Sequence, residues 1–204
     1  MMIKDLDARV ATIWEGLRPI TKKLLVGSME SSGIPHSNNQ VQKFEYDVHA
    51  DWELSRLLNA LDQRKREKDA GAEQEAARLA ETCALILETQ SASAEVFVQL
   101  AARAINQHDY ARLDRLSDHL MDRFSPAEVA EIIRQTDYPQ IRAIAYESLS
   151  MVSVRALLPL VNDPVYADIA ISALEQKAYE YDSEEARDVL DRLEDQFGMM
   201  PSQS

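Results

Sequence analysis

The heptapeptide Ala-Ile-Asn-Gln-His-Asp-Tyr at residues 104–110 returns 28 residues later as Ile-Ile-Arg-Gln-Thr-Asp-Tyr at 132–138. A looser third copy, Pro-Leu-Val-Asn-Asp-Pro, occupies 159–164. Each copy closes one apolar-periodic run and opens the next. A recurrence of this length predicts helical hairpins set in a row, because one hairpin cannot bury its own apolar seam and must stack on its neighbours.

The phase of the repeat is readable in the second helix of each unit. Ile141, Arg142, Ala145, Ser148 and Leu149 fall at steps 0, 1, 4, 7 and 8. Twenty-five residues later the same steps hold Tyr166, Ala167, Ala170, Ala173 and Leu174. Twenty-eight residues earlier they hold Leu113, Asp114, Ser117, Leu120 and Met121. Large apolar residues at steps 0 and 8, with small ones at 4 and 7, form a narrow seam on one helix face and let a neighbouring helix approach closely. Apolar residues make up 46 % of the 204, Gly is scarce at 5, and strand-type alternation is nearly absent. Ala, Leu, Glu, Arg and Gln, all good helix formers, dominate. The fold class these features predict is all-α.

Turn chemistry supports the same units. Asp109, Asp137 and Asp163 each stand where a carboxylate can accept from free N–H groups of the next helix. Pro139 and Pro164 then fall in the first helical turn, where a missing N–H is harmless. Ser125-Pro126-Ala127-Glu128 reads as a capping box. The expected units are 94–107 with 110–124, 126–136 with 139–152, and 154–162 with 165–181. A last amphipathic helix starts at Ser183 and carries Ala186, Val189, Leu190, Leu193 and Phe197 on one face. Gly198 ends it as a C-terminal cap, and a frayed tail follows.

The first part of the chain is less regular. An amphipathic helix is expected over 3–17 with Ile3, Leu6, Val10, Ile13, Trp14 and Leu17 on one face, interrupted at Arg18-Pro19. A short run over 20–26 follows. Residues 27–50 read as a linker rich in Gly, Ser and Asn, within which Phe44, Tyr46 and Val48 alternate with charges. Asp51 is the expected N-cap of a helix reaching Lys68, broken at Ala70-Gly71-Ala72, and a second helix over 73–89 closes a hairpin. Trp14 and Trp52 lie on apolar faces and read as core. The domain plan is therefore a helical segment at 1–26, a linker at 27–50, an atypical first hairpin at 51–90, repeats with a capping helix at 91–197, and a tail at 198–204.

Asp137, Ile141, Arg142, Ala145 and Leu149, with Asp163, Pro164, Ala170, Ala173 and Leu174 in the next unit, resemble the HEAT-like repeat family, including the short form found in phycobilin lyase subunits. Asp109, Leu113 and Leu120 match weakly, and the family's Arg position is Arg only at 142, being Asp114 and Ala167 elsewhere. The resemblance covers about residues 94–181. It implies a short right-handed α-solenoid with an N-terminal helical extension, in which second helices line the concave face. That places Arg142, Tyr146, Asp168, Ser172 and Glu175 in a binding groove. HEAT-like stacks serve many functions. The leading expectation is a protein–protein interaction module; the alternatives are an accessory or lyase-like subunit acting on a tetrapyrrole, or a HEAT-like nucleic-acid enzyme.

Charge weighs against the last. Residues 1–68 hold 11 Lys and Arg against 10 Asp and Glu, whereas the remainder holds 11 against 25, a net of −14. An acidic stack repels phosphate backbones and suits a partner with a basic surface. No GxSxG, no Gly-rich phosphate loop and no HExxH occurs, and none of the four His is followed by Glu as in HEAT-like di-iron hydroxylases. His108 and His119 with Asp109, Asp118 and Asp122 are the one conceivable metal cluster, and scattered surface groups are the commoner case. No catalytic residue, cofactor or metal is assigned. The basic run Arg64 to Lys68 reads as a solvated helix end. Cys83 is the only cysteine, so no internal disulfide forms, and a reducing, cytoplasmic setting is expected. No apolar stretch is long enough to cross a membrane, and the acidic start argues against a signal peptide.

Overall fold

The computed structural model describes residues 7–31, 46–64 and 70–198, and among these every regular element is a helix. Contacts divide the chain into two compact units, Met1–Ser91 and Ala92–Ser204.

The first unit holds α1 (Ala8–Gly16), α2 (Pro19–Ser31), α3 (Val48–Gln63) and α4 (Ala70–Gln90). α3 and α4 pack together, α1 lies on α3, and α2 lies on both. Asp7 starts α1 by accepting from the N–H groups of Arg9 and Val10 at 2.7 and 3.4 Å. Pro19 then opens α2, so Leu17 and Arg18 are the non-helical residues between them, and Arg18 is tied to α3. Its backbone N–H and Nε donate to Glu53 at 2.9 and 3.1 Å, and its two Nη atoms donate to Asp47 at 2.8 and 2.7 Å. Thr21 adds a short hydroxyl bond to Glu53, which is buried. Leu25, Leu54, Leu57, Leu58, Leu79 and Cys83 form the core around this knot.

Several expectations for this unit are corrected. Asp47, not Asp51, caps α3, accepting from Ala50 N–H at 2.9 Å. Asp51 sits in the first turn and accepts from the Tyr46 hydroxyl. Val48 belongs to α3 and α2 continues to Ser31, so the ends of the linker at 27–50 are helical; its middle, with Phe44, lies outside the described residues. Ala70 and Gly71 begin α4 rather than breaking α3. Trp52 is 60 % exposed rather than core, its ring 4.5 Å from the Arg56 guanidinium, while Trp14 is half-buried. Arg64 is no solvated helix end: its side chain is 5 % exposed and lies 2.7 Å from Glu73 at the start of α4. Residues 65–68 of the basic run, and Ile3 and Leu6 of the first helix, lie outside the described residues.

The second unit holds α5 (Ala94–Gln107), α6 (Tyr110–Arg123), α7 (Pro126–Gln135), α8 (Pro139–Met151), α9 (Val154–Val161), α10 (Ala167–Tyr179) and α11 (Glu184–Gly198). All fall within two residues of the spans read from the sequence. α5 packs on α6, α7 on α8, and α9 on α10. Between hairpins, α5 touches α7 and α7 touches α9, while α6 touches α8 and α8 touches α10. α11 covers part of α10. Lys177 of α10 donates to the Ser150 carbonyl of α8 at 2.8 Å, joining successive second helices.

The seam is real but its phase differs from the sequence alignment in the first hairpin. Met121, expected in the seam, is 61 % exposed, and Leu113 and Ser117 are half-buried. The buried residues are Arg112, Leu116 and Leu120. Ile141, Ala145 and Leu149 follow each of these by 29 residues, and Ala170, Leu174 and Ala178 follow by 29 again; all six are buried. Turn length differs between units, so the word that repeats every 28 residues and the face that repeats every 29 are not the same alignment.

Capping departs from expectation too. Asp109 does cap α6, accepting from Arg112 N–H at 3.0 Å. Asp137 does not cap α8: the cap position falls on Tyr138, whose N–H donates to the Thr136 hydroxyl at 3.2 Å. Asp163 accepts from Val165 N–H at 2.9 Å within a turn, and Pro164 lies in that turn, outside α10. Ser125 caps α7 through Glu128 N–H at 3.2 Å. The Glu128 carboxylate does not complete the capping box; it accepts from Ala94 N–H at 2.9 Å and so caps α5 from the next hairpin. Ser93, at the cap position of α5, makes no side-chain capping bond. Phe197 and Gly198 carry no described side-chain surroundings.

Candidate functional site

The five residues expected to line a groove lie on α8 and α10, which pack side by side. Arg142 and Tyr146 are four residues apart on α8, and Asp168, Ser172 and Glu175 share one face of α10 by the same helical spacing. Arg142, Asp168, Ser172 and Glu175 are exposed and Tyr146 is half-buried. The buried seam of these helices lies at other steps, so this face is left over by packing.

Two of the five also serve helix ends. Arg142 reaches back along its hairpin and donates to the Ile133 carbonyl at 3.4 Å, placing a cation at the C-terminal end of α7. Asp168 stands in the first turn of α10, where its charge suits the helix N-terminus. Such roles orient the side chains without removing them from solvent.

A second row was not read from the sequence. Tyr110, Tyr138 and Tyr166 stand 28 residues apart, each at the start of a second helix. Tyr110 is 62 % exposed and Tyr138 is 36 % exposed. Tyr166 is half-buried and its hydroxyl donates to Glu131 of α7 at 3.0 Å. The Tyr shared by the two repeated words was the available signal, but the words mark turns, and turns alone do not say which side chains face outward. Met151 and Tyr179 add further exposed apolar area, the latter 77 % exposed.

Glu131 is the electrostatic anchor beside this row. Arg134 donates to it at 2.5 and 2.7 Å, Gln135 at 2.5 Å, and Tyr166 from α10. The Arg134 bonds lead in pulling its carboxyl down to about 2 against an opposing effect of burial. Burial first, and then the bond to Glu131, raise the Tyr166 hydroxyl above its ordinary value. Both groups therefore hold their neutral-pH forms across a wide range, an ionised acceptor and a neutral donor.

His108 and His119 do not come together as a site. His108 adopts a left-handed backbone at the end of α5 and its ring lies edge-on to Tyr110, 6.3 Å between centroids. Among the described residues no three His, Cys, Asp or Glu side chains stand close enough to hold a metal ion. Among those residues, too, no single helix is long and apolar enough to cross a membrane. Protein-family models, curated proteins and solved structures offer no match to this chain.

Proposed function

We propose that the second unit is a short HEAT-like α-solenoid that binds another protein through its second helices. The observation that carries this reading is the pair of neighbouring second helices, α8 and α10, whose packing leaves Arg142, Tyr146, Asp168, Ser172 and Glu175 on open faces. The succession of first helices on first helices and second on second supports the stacked arrangement. Tyr and Arg supply much of the energy at protein interfaces, and the exposed Tyr110, Tyr138 and Tyr179 enlarge the supply. The net charge of −14 over residues 69–204 favours a partner with a basic surface.

The test is affinity capture from native lysate with the full chain, beside an Arg142→Glu, Tyr146→Ala, Glu175→Arg variant. The expected result is a partner retained by the parent chain, enriched in basic surface, released by raised salt and reduced at least about tenfold by the variant. Retention equal to that of a charge-matched control protein, or equal retention by the variant, overturns the reading.

A further inference from the structure

The first unit contains a cleft of about 250 Å³ between α1 and α3, lined by Arg9, Thr12, Ile13, Arg56 and Asn59. Its charge is one-sided, with two arginines in the lining. A side-chain relay runs along its edge: Asn59 Oδ1 accepts from Gln63 Nε2 at 2.7 Å, and Gln63 Oε1 accepts from Arg9 Nη1 at 2.9 Å. The Thr12 hydroxyl donates to the Ala8 carbonyl of its own helix at 2.8 Å. The N–H donors left for a ligand are the rest of the Arg9 guanidinium, the Asn59 Nδ2 and the whole Arg56 guanidinium. Arg56 touches the Trp52 ring at 4.5 Å and makes no ion pair among the described residues. No carboxylate among the described residues lines the cleft, in a chain where Asp and Glu outnumber Lys and Arg by 35 to 22.

Two guanidiniums on separate helices line the same cleft, Arg9 held at one edge and Arg56 by its face. Arg9 is fixed by the Asn59–Gln63 amide relay, and Arg56 is fixed over an indole face, which holds a cation without consuming its N–H donors. Guanidinium forks bind oxyanions by paired hydrogen bonds. A carboxylate carries one charge and is satisfied by one fork. A phosphate monoester carries nearly two charges at neutral pH and three terminal oxygens, which match two forks and an amide N–H. We propose that this cleft is a binding site for the phosphate group of a small phosphate monoester. The site stands in the other unit from the protein-binding surface and does not depend on it.

Trp52 makes the site self-reporting. With Trp14→Phe as background, Trp52 is the single tryptophan, and its emission reports an anion binding to the guanidinium stacked on its ring. Titrations at fixed ionic strength use inorganic phosphate, glycerol 2-phosphate, acetate and chloride. The expected result is a saturable change with phosphate and with the monoester, and none with chloride. Arg56→Gln and Arg9→Gln, both exposed positions whose helicity is checked by circular dichroism, each weaken phosphate at least about tenfold, the loss of one charge-assisted pair. Arg155→Gln, on α9 of the second unit, leaves the titration unchanged. Isothermal calorimetry on the unmodified chain gives a readout that does not rely on tryptophan. A phosphate response equal to that of chloride, affinity for acetate equal to that for phosphate, or binding that survives both arginine changes overturns the proposal.

Discussion

Glu53 shows how much one buried carboxylate can organise. It receives the Arg18 backbone N–H, the Arg18 Nε and the Thr21 hydroxyl, and so holds the α1–α2 junction and the first turn of α2 against α3. Burial acts to raise its carboxyl, but the Thr21 and Arg18 bonds outweigh it and the net shift is downward from 4.5. Asp47, bonded first to the Arg18 side chain, also lies below its ordinary 3.8. Both titrate lower in the folded chain than in the unfolded one. Their contribution is therefore complete above the unfolded carboxylate range and drains away as pH falls below about 4.5 through their folded values. Glu53→Ala is expected to lower stability by about 2 kcal/mol at neutral pH, since it strands the Arg18 N–H and removes a charge-assisted acceptor. The loss should shrink as pH falls through the folded value of Glu53, because protonation removes the charge from the parent residue. Urea midpoints measured in steps from pH 7 down into acid check this; an equal loss at every pH would assign the effect to packing alone.

Among elements, the second helices carry the sharpest test, because the sequence and the packing disagree on the phase of α6. Helical spacing lets either Leu120 or Met121 follow Leu113 on one face. The structure buries Leu120 and leaves Met121 out. Leu120→Ala should then cost about 2–5 kcal/mol through the cavity it leaves, and Met121→Ala should fall within about 0.5 kcal/mol of the parent. Denaturant midpoints at equal m-value decide it, and the reverse order would restore the 28-residue alignment. Arg112 explains why the phase was hard to read: a charged residue occupies the buried step filled by Ile141 and Ala170 in the other hairpins. No pattern of apolar residues announces a buried Arg. The exposed faces at Arg142 and Asp168 were legible through the resemblance, whereas the Tyr110–Tyr138–Tyr166 row needed the helix starts to be placed first.

At the level of the whole chain, the second unit has its own core, with Phe97, Leu100, Ile132, Ile133, Leu149 and Leu174 each almost wholly buried. Phe97 meets Phe124 edge-on at 5.7 Å between centroids. A fragment of residues 92–204 is accordingly expected to keep its helical circular dichroism and to unfold in one cooperative thermal transition. A broad, sloping melt would show that this core is incomplete without the first unit. The same fragment should retain the proposed partner and lose the phosphate response, which separates the two functional readings by position on the chain.

The helix spans of residues 92–198, the all-α class and the Asp109 and Ser125 caps follow from the sequence alone, because each depends on residues within one or two helical turns of each other. The partners of Glu128 and Glu53 do not. Glu128 caps α5 across 34 residues and Glu53 holds Arg18 across 35, and a carboxylate near several free N–H groups carries no local mark of which it will take. The same limit governs the seam of α6 and the cleft between Arg9 and Arg56. A helix turns by about 100° per residue, so one step separates core from solvent, and only the neighbouring helix selects the step. Tertiary packing therefore decided which side chains were left outside, and those are the residues that both proposed sites use.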